Sequence, residues 1–556
     1  VSEANQEQPG AGSTLARASA VMAAGTTASR LTGFVRTAAV AAAIGGARNP
    51  FADAYNVANT LPNVVYDLLL GGVLTSVVVP VLVRATREDP DDGDAFARTL
   101  LVLVAASLGA VSLIAVLTAP GIVAAYMHDA APDTRARAVE FARWFLPQLL
   151  FYGLSATAGA ILNTRGRFGA PMVTPVLNNL VVIATVVVFT LLPEGAHGAV
   201  SAQQRTVLAI GTTLGVVVMT LALVPSLLAV GVRRGPVDLR HPGLGSAARQ
   251  AGWGLAYVVV SQLGFLVVVN LATPRSVDGY SAYANAYQLF QLPYAIVGVS
   301  VVTALLPTLA RHHGALRPDL IRTDLAHALR LAAALVVPSS FVLVALADPV
   351  AVLVFGHGVT SLAAAHQIGD VLALMALGLV PFTVQQTLLR AFYAQRDSRT
   401  AFALGAVVTA VLVGVDLVVA QLRDGPERVL WLAGGFSASW TAGAAVTAWV
   451  VRRRLGSDGH ESFLTVRTHA RCAVAGLAGV VVALLLSRLG GALTPGSASL
   501  DAFVQLALAG PAAAVVTLRS LRRVGVRELD PLLQRLLRVP GAARLLNMAP
   551  PAAETT

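Results

Sequence analysis

The sequence predicts an all-α polytopic membrane protein with about fourteen transmembrane helices. Three observations carry this expectation. Of the 556 residues 56% are hydrophobic and only 12% are charged, and the mean hydropathy is +0.70. A soluble chain of this length is about one quarter charged. Apolar stretches of about 20 residues, enough to cross a hydrocarbon core as a helix, recur along the whole chain. Only helices and closed barrels satisfy their backbone in lipid, and stretches this long are too long for barrel strands.

Taken in order, the polar residues 1–14, with Pro9 and Gly10, read as a disordered tail. The first long apolar region carries arginines and no cleavage motif follows it, so it is expected to stay in the mature protein rather than act as a signal peptide. Spans are expected at 18–43, 55–83, 99–127, 141–163, 170–192, 205–231, 251–273, 281–309, 329–355, 368–393, 400–421, 429–451, 471–487 and 499–518. Pro62, Pro80, Pro147 and Pro175 fall inside them, as transporter helices tolerate where neighbours take up the freed backbone groups. The single cysteine, Cys472, excludes an intrachain disulfide and a cysteine metal cluster, and reads as a small buried residue.

All 40 basic residues are arginine, which a GC-rich codon bias explains without any function. The net charge of +11 is scattered between apolar spans, so it is a topology signal and not a nucleic-acid footprint. With the N-terminus inside, 29 arginines fall on the cytoplasmic side and 8 on the opposite side. That asymmetry predicts a plasma-membrane protein with both termini cytoplasmic. Residues 519–556 read as a cytoplasmic amphipathic or disordered tail, with Leu532, Leu533, Leu536 and Leu537 at helical spacing among arginines.

The chain repeats itself. Leu61-Pro62 returns as Leu292-Pro293, and the basic loop at Arg165 returns at Arg396, both offset by 231 residues. Pro80 returns as Pro307 with nearly the same offset. Each copy begins six spans, so the chain divides into an N-lobe at 15–231, a C-lobe at 245–452 and two added helices at 470–518. Parallel repeats of this kind suggest two pseudo-symmetric lobes with a substrate path between them.

Arg30 and Arg36 lie inside the first apolar segment. A charge in hydrocarbon is costly and marks function by default. Arginine supplies the forked, permanent donors that a diphosphate needs. The two residues are about 240° apart around a helix and roughly 9 Å apart along it, so they do not share one helix face, and an unwound or kinked stretch near Gly25 or Gly33 is what could bring both to one cavity. The alternative is that either snorkels to the interface. Asp53 reads either as the cap of the second helix or as a partner for a cavity arginine. Asp67 lies deeper and needs a partner, with Arg30 or Arg36 nearest. Asp416, isolated in Val413-Gly414-Val415-Asp416-Leu417-Val418, reads either as a site for a coupling cation, Na+ or H+, or as a structural carboxyl. Gln262 and Gln288 are candidates to face the cavity, whereas Asn178, Asn179, Asn270 and Asn285 read as helix–helix glue. No phosphate-binding Gly-Lys-Ser/Thr loop, no His-Glu-x-x-His and no G-x-S-x-G is present, so neither an enzyme nor a cofactor is expected.

Ser29-Arg30-Leu31-Thr32-Gly33-Phe34-Val35-Arg36 resembles the opening signature of the MurJ/MviN family. The resemblance continues through Ala52-Asp53-Ala54-Tyr55, Leu61-Pro62-Asn63, Gly72-Val73-Leu74-Thr75-Ser76 and Val79-Pro80-Val81-Leu82. It extends to Ile161-Leu162-Asn163-Thr164, Gln291-Leu292-Pro293, Leu306-Pro307 and Phe355-Gly356-His357-Gly358, over roughly residues 15–520. It implies membership of the multidrug/oligosaccharidyl-lipid/polysaccharide exporter superfamily and flipping of lipid II, the undecaprenyl-pyrophosphate disaccharide-pentapeptide, to the outer leaflet by alternating access. It also implies a lipid-tail groove beside the last two helices and puts Asn63 among the substrate-binding residues. Membrane lipids and cell-wall synthesis proteins are the expected partners, with no nucleic acid. The sequence departs from the family's arginines at Tyr66, Asp67 and Gln288, and has Thr37 where an aspartate is common. The repeat positions of Arg30 and Arg36 are Ser261 and Val267, so the positive charge is expected on the first-lobe wall. Rival readings are an exporter of another polyprenyl-linked glycan, a multidrug antiporter with a carboxylate-rich cavity, and a non-transporting scaffold for cell-wall synthesis.

Overall fold

The computed structural model describes residues 11–68, 82, 93–196, 199–232, 235, 242–277, 279–295, 299–395, 397–456, 458–493 and 497–530. Among these the regular elements are helices. They are α1 (Ala11–Ile44), α2 (Pro50–Leu68), α3 (Asp94–Leu117), α4 (Ala119–Tyr126), α5 (Pro132–Phe145), α6 (Gln148–Thr164), α7 (Gly169–Leu191), α8 (Ala202–Leu221), α9 (Val224–Ala229) and α10 (Pro242–Ala272). There follow α11 (Tyr280–Pro293), α12 (Val299–Gly314), α13 (Pro318–Phe355), α14 (Leu362–Leu377), α15 (Leu379–Ala394), α16 (Ser398–Leu422), α17 (Glu427–Leu455), α18 (Gly459–Leu493) and α19 (Ala498–Arg523).

Among the described residues nine spans are long and apolar enough to cross a membrane, and the bent pair α14–α15 makes a tenth. The other four expected spans overlap α1, α2, α10 and the α11–α12 pair, which are only partly described: residues 69–81 of the second and 296–298 of the fourth lie outside the described residues. Leu113, Ile114 and Leu117 on α3 are each more than half exposed, as a lipid-facing surface requires. The first described residue is Ala11, which begins α1, and residues 1–10 of the expected tail lie outside the described residues. The tail leucines from Leu532 onward, and Arg396, lie outside the described residues.

Several spans are broken where a proline removes an N–H, and neighbouring hydroxyls take up carbonyls there. Pro147 divides α5 from α6, and Ser112 and Thr213 donate to the carbonyls of Leu146 and Trp144 at 2.8 and 2.7 Å. At Gly378 the α14–α15 span bends by 45°. The Gly378 N–H turns to Met375, and Ser437 donates instead to the carbonyl of Leu374 at 2.6 Å.

The chain forms two compact units, and they are not two successive stretches of sequence. Unit 1 comprises Val1–Ile44 with Asp53–Val258; unit 2 comprises Gly45–Ala52 with Val259–Thr556. The division between the two units falls after Val258, inside α10. The last two helices do not stand apart. α18 and α19 share a core with α13, built on Ala333, Val337, Cys472, Ala475 and Leu521. In unit 1, Tyr55 of α2 is held edge-on by Phe141 and Phe145 of α5. In unit 2, Phe290, Phe382, Phe436 and Trp440 form an aromatic knot joining α11, α15 and α17.

The short segment that unit 2 takes from between α1 and α2 is held by side chains. Asn285 donates to the carbonyl of Gly46 at 2.7 Å, and Arg48 donates to Gln367 Oε1 at 2.9 Å. Gln367 in turn donates to the carbonyl of Pro426 at 3.3 Å. The segment turns sharply, with φ of +103° at Gly45 and +51° at Arg48, the second a strained value for a residue with a β-carbon.

Candidate functional site

In unit 1, α1 runs as one helix through Gly25 and Gly33, so the chain is not unwound there. Both glycines serve close approach to α7 instead. A β-carbon on Gly25 would stand 2.9 Å from Met172 Cβ, and one on Gly33 would stand 3.4 Å from Asn179 Nδ2. Asn179 donates to the Ser29 carbonyl at 3.1 Å and to Thr32 Oγ1 at 3.0 Å, the gluing role expected of it. Because α1 is continuous, Arg30 and Arg36 keep the angular offset of a regular helix. Arg30 is exposed and Arg36 is half-buried. Among the described residues neither guanidinium has an ion pair or hydrogen bond, although Arg36 is within electrostatic reach of Tyr55.

Tyr55 belongs to the polar side of α2. Its hydroxyl is 3.1 Å from Thr212 Oγ1. Farther along α2, Asn63 accepts from the Tyr152 hydroxyl at 2.8 Å and donates to the Asn59 carbonyl at 2.7 Å. Gln148, fully buried beside the Pro147 break, donates to Thr213 Oγ1 at 2.9 Å. Asp53 is buried in the first turn of α2 and does not cap it. That task falls to Asn49, whose Oδ1 accepts from the Phe51 N–H at 3.0 Å, because Pro50 at the first helical position puts the cap one residue before it. The side chain of Asp67 lies outside the described residues. Arg36, Asp53, Tyr55 and Asn63 thus come from two neighbouring segments of unit 1, and Tyr55, Tyr152 and Gln148 are polar members that the sequence reading did not single out.

In unit 2, Gln262 is half-buried on α10 and Gln288 is exposed on α11. Asp416 is fully buried in α16, against α17. Neither of its carboxyl oxygens has a hydrogen-bond partner among the described residues. Oδ1 lies so near Gly435 that a β-carbon there would be 2.1 Å away, and Tyr283 of α11 is within electrostatic reach.

Arg390, near the end of the expected span 368–393, lies in the last turns of α15, half-buried. Its guanidinium hydrogen-bonds the Tyr294 side chain and lies 5.6 Å from the centre of the Tyr393 ring. Its Nε has no hydrogen-bond partner among the described residues. The sequence reading does not single it out, although the tyrosine three residues on is a signal that helical spacing puts an aromatic beside it.

The family model described as lipid II flippase MurJ matches residues 40–503. A probable lipid II flippase MurJ from Rhizobium meliloti (strain 1021) is 29% identical over 420 residues, covering 72% of this chain and 74% of the relative. The lipid II flippase MurJ of Burkholderia cenocepacia is 28% identical over 404 residues, covering 71% and 75%. Among solved structures, a lipid II flippase MurJ in an inward closed conformation aligns with a TM-score of 0.71 at 18% identity, over 90% of this chain and 99% of that one. An inward-facing multidrug resistance MATE family transporter of the MOP superfamily aligns at 0.62 and 16%, over 77% and 94%. At these identities the structural likeness speaks to the fold.

Proposed function

The chain belongs to the MurJ family of lipid II flippases, and from that premise we propose that it carries lipid II from the cytoplasmic to the outer leaflet by alternating access, with both termini in the cytoplasm. The observation that supports a role for α1 is the pair Arg30 and Arg36: two permanent charges in a membrane helix, neither neutralised among the described residues. A buried or lipid-embedded arginine without an internal anion calls for an external one. The diphosphate of lipid II supplies two negative groups with oxygens suited to forked donors. Asp53 and Asn63 of the same unit complete the proposed set there, offering hydrogen bonds to sugar and peptide groups; Gln262, Gln288 and Asp67 are kept on their sequence positions alone. The arginines speak against the multidrug-cation reading, which needs carboxylates in their place.

In the same reading Asp416 exchanges the coupling cation, Na+ or H+. Its support is a carboxyl buried between two helices with both oxygens unpartnered among the described residues, an arrangement that structure alone does not reward. Docking of cell-wall synthesis proteins onto the carrier also belongs to this reading.

The test is accessibility of lipid II at the outer face of cells that depend on the protein. Cells with the wild-type chain should expose lipid II outside, and depleted cells should accumulate it in the inner leaflet. Unchanged exposure after depletion would overturn the flippase reading. Asp416→Asn should slow the same process and alter its ion dependence. Wild-type rate and ion response would leave Asp416 a structural group.

A further inference from the structure

α17 carries two outward tryptophans, Trp431 and Trp449, exposed to 43% and 52%. Eighteen residues, or five full turns, separate them, so both rings leave the helix on one side about 27 Å apart. A bilayer's hydrocarbon core is about 30 Å thick. Indole rings at the two ends of a span settle at the headgroup level of each leaflet. The side between them is small: Ala438, Thr441 and Ala445 are its exposed residues.

Each ring is covered by a guanidinium. Arg423 lies 5.0 Å from the centre of the Trp431 ring, and Arg453 lies 4.0 Å from that of Trp449. An arginine stacked through its flat face keeps its N–H edge free for oxygen ligands. At the Trp449 end three arginines follow one another, and they are not equivalent. Arg454 is tied to Asp397. Arg452 and Arg453 are exposed and have no ion pair or hydrogen bond among the described residues. This end therefore presents an oriented guanidinium edge, a second unpaired guanidinium and an apolar, small-residue track that starts at the same ring.

We infer that Arg453, stacked on Trp449 and flanked by Arg452, binds the phosphate of an anionic phospholipid in the leaflet at the arginine-rich end of α17, whose acyl chains lie along the small-residue side toward Trp431. The charge is complementary, the ring fixes the depth, and the face is apolar below it. By the arginine asymmetry of the loops this leaflet is the cytoplasmic one. The site is independent of what the protein transports.

The experiment uses the purified full chain in nanodiscs of phosphatidylglycerol, exchanged into phosphatidylcholine, with retained lipid counted by mass spectrometry. Arg453→Gln should weaken phosphatidylglycerol retention by about fivefold, as loss of one interfacial arginine implies. Trp449→Ala should weaken it as well, because the guanidinium loses its platform. Arg467→Gln, at an exposed arginine of α18, controls for diffuse surface charge and should leave retention near wild type. Thermal unfolding of each variant should match wild type. Equal loss in Arg453→Gln and Arg467→Gln, or no loss in either, would overturn the inference. So would full displacement of the lipid by inorganic phosphate, since acyl contacts would then contribute nothing. Efficient copper-driven crosslinking of Ala438→Cys between two copies would give the face to a second copy of the chain and overturn it too.

Discussion

The contact between Gly435 and Asp416 sets a quantitative expectation. A β-carbon on Gly435 would stand 2.1 Å from Asp416 Oδ1 and 3.3 Å from Val415 Cγ1, where ordinary contact begins near 3.4 Å. Gly435→Ala therefore drives the carboxyl back by about 1 Å, or parts two closely packed helices by a similar amount. Overpacking of this kind costs about 1–3 kcal/mol. Asp416→Ala alone removes two unpartnered oxygens and leaves a small gap, terms that oppose each other. In the double variant the added methyl fills the space the carboxyl has left. The two changes should then be less destabilising together than the sum of each, with a coupling of at least about 1 kcal/mol. Reversible unfolding in mixed micelles, run on all four proteins of the cycle, measures this. Additivity to within about 0.5 kcal/mol would show that the two groups do not meet, and would refute the geometry on which the role of Asp416 rests.

Arg30→Ala and Arg36→Ala should each abolish outer-face exposure of lipid II while leaving expression intact, and lysine should rescue only partly because it lacks the fork; normal exposure in both alanine variants would make these arginines interface anchors. Gln288→Ala should be milder, since an amide gives hydrogen bonds without long-range attraction. With Cys472 buried, a cysteine at Val359 should label from outside intact cells and one at His460 should not, and the reverse pattern would invert the topology. Asp397 caps α16: burial opposes its charge, but bonds from Thr400 and Arg454 outweigh this and hold the carboxyl below its usual range. A lowered value means that its stabilisation is present above the usual carboxylate range and is lost as pH falls through the folded-state value. Asp397→Ala should lower stability by about 1 kcal/mol at neutral pH, and the gap from wild type should narrow on acidification; an unchanged gap at low pH would assign the effect to packing.

Helix positions were legible because hydrophobic length is a property of single segments. Span ends at 169–191, 398–422 and 498–523 lie within a few residues of those the sequence suggests. What escaped the sequence depends on pairs. Gly25 and Gly33 have the look of hinges, and only the side chains of Met172 and Asn179, far along the chain, reveal them as contact points. Asp53 looked like a cap until the Asn49 side chain proved to hold that bond. Arg390 did not stand out because its tyrosine neighbours Tyr294 and Tyr393 carry no charge to announce the pairing. Of the candidate site, the membrane arginines and Asp416 were visible as charges out of place, whereas the polar row of Tyr55, Tyr152 and Gln148 was not, because neutral hydroxyls and amides are common in apolar helices.

The segment Gly45–Ala52 gives synthesis of the protein a built-in delay. Its Arg48 is made 319 residues before Gln367, and its Gly46 is made 239 residues before Asn285. At about 5–20 residues per second, Arg48 emerges roughly 16–64 s ahead of its acceptor. For the first part of that interval the turn between α1 and α2, with its left-handed Gly45 and Arg48, lacks both of these distant partners, and Asn285 joins it before Gln367 does. Unit 1 can therefore assemble its helices as they leave the ribosome, but this one turn settles only when the second half of the chain has followed.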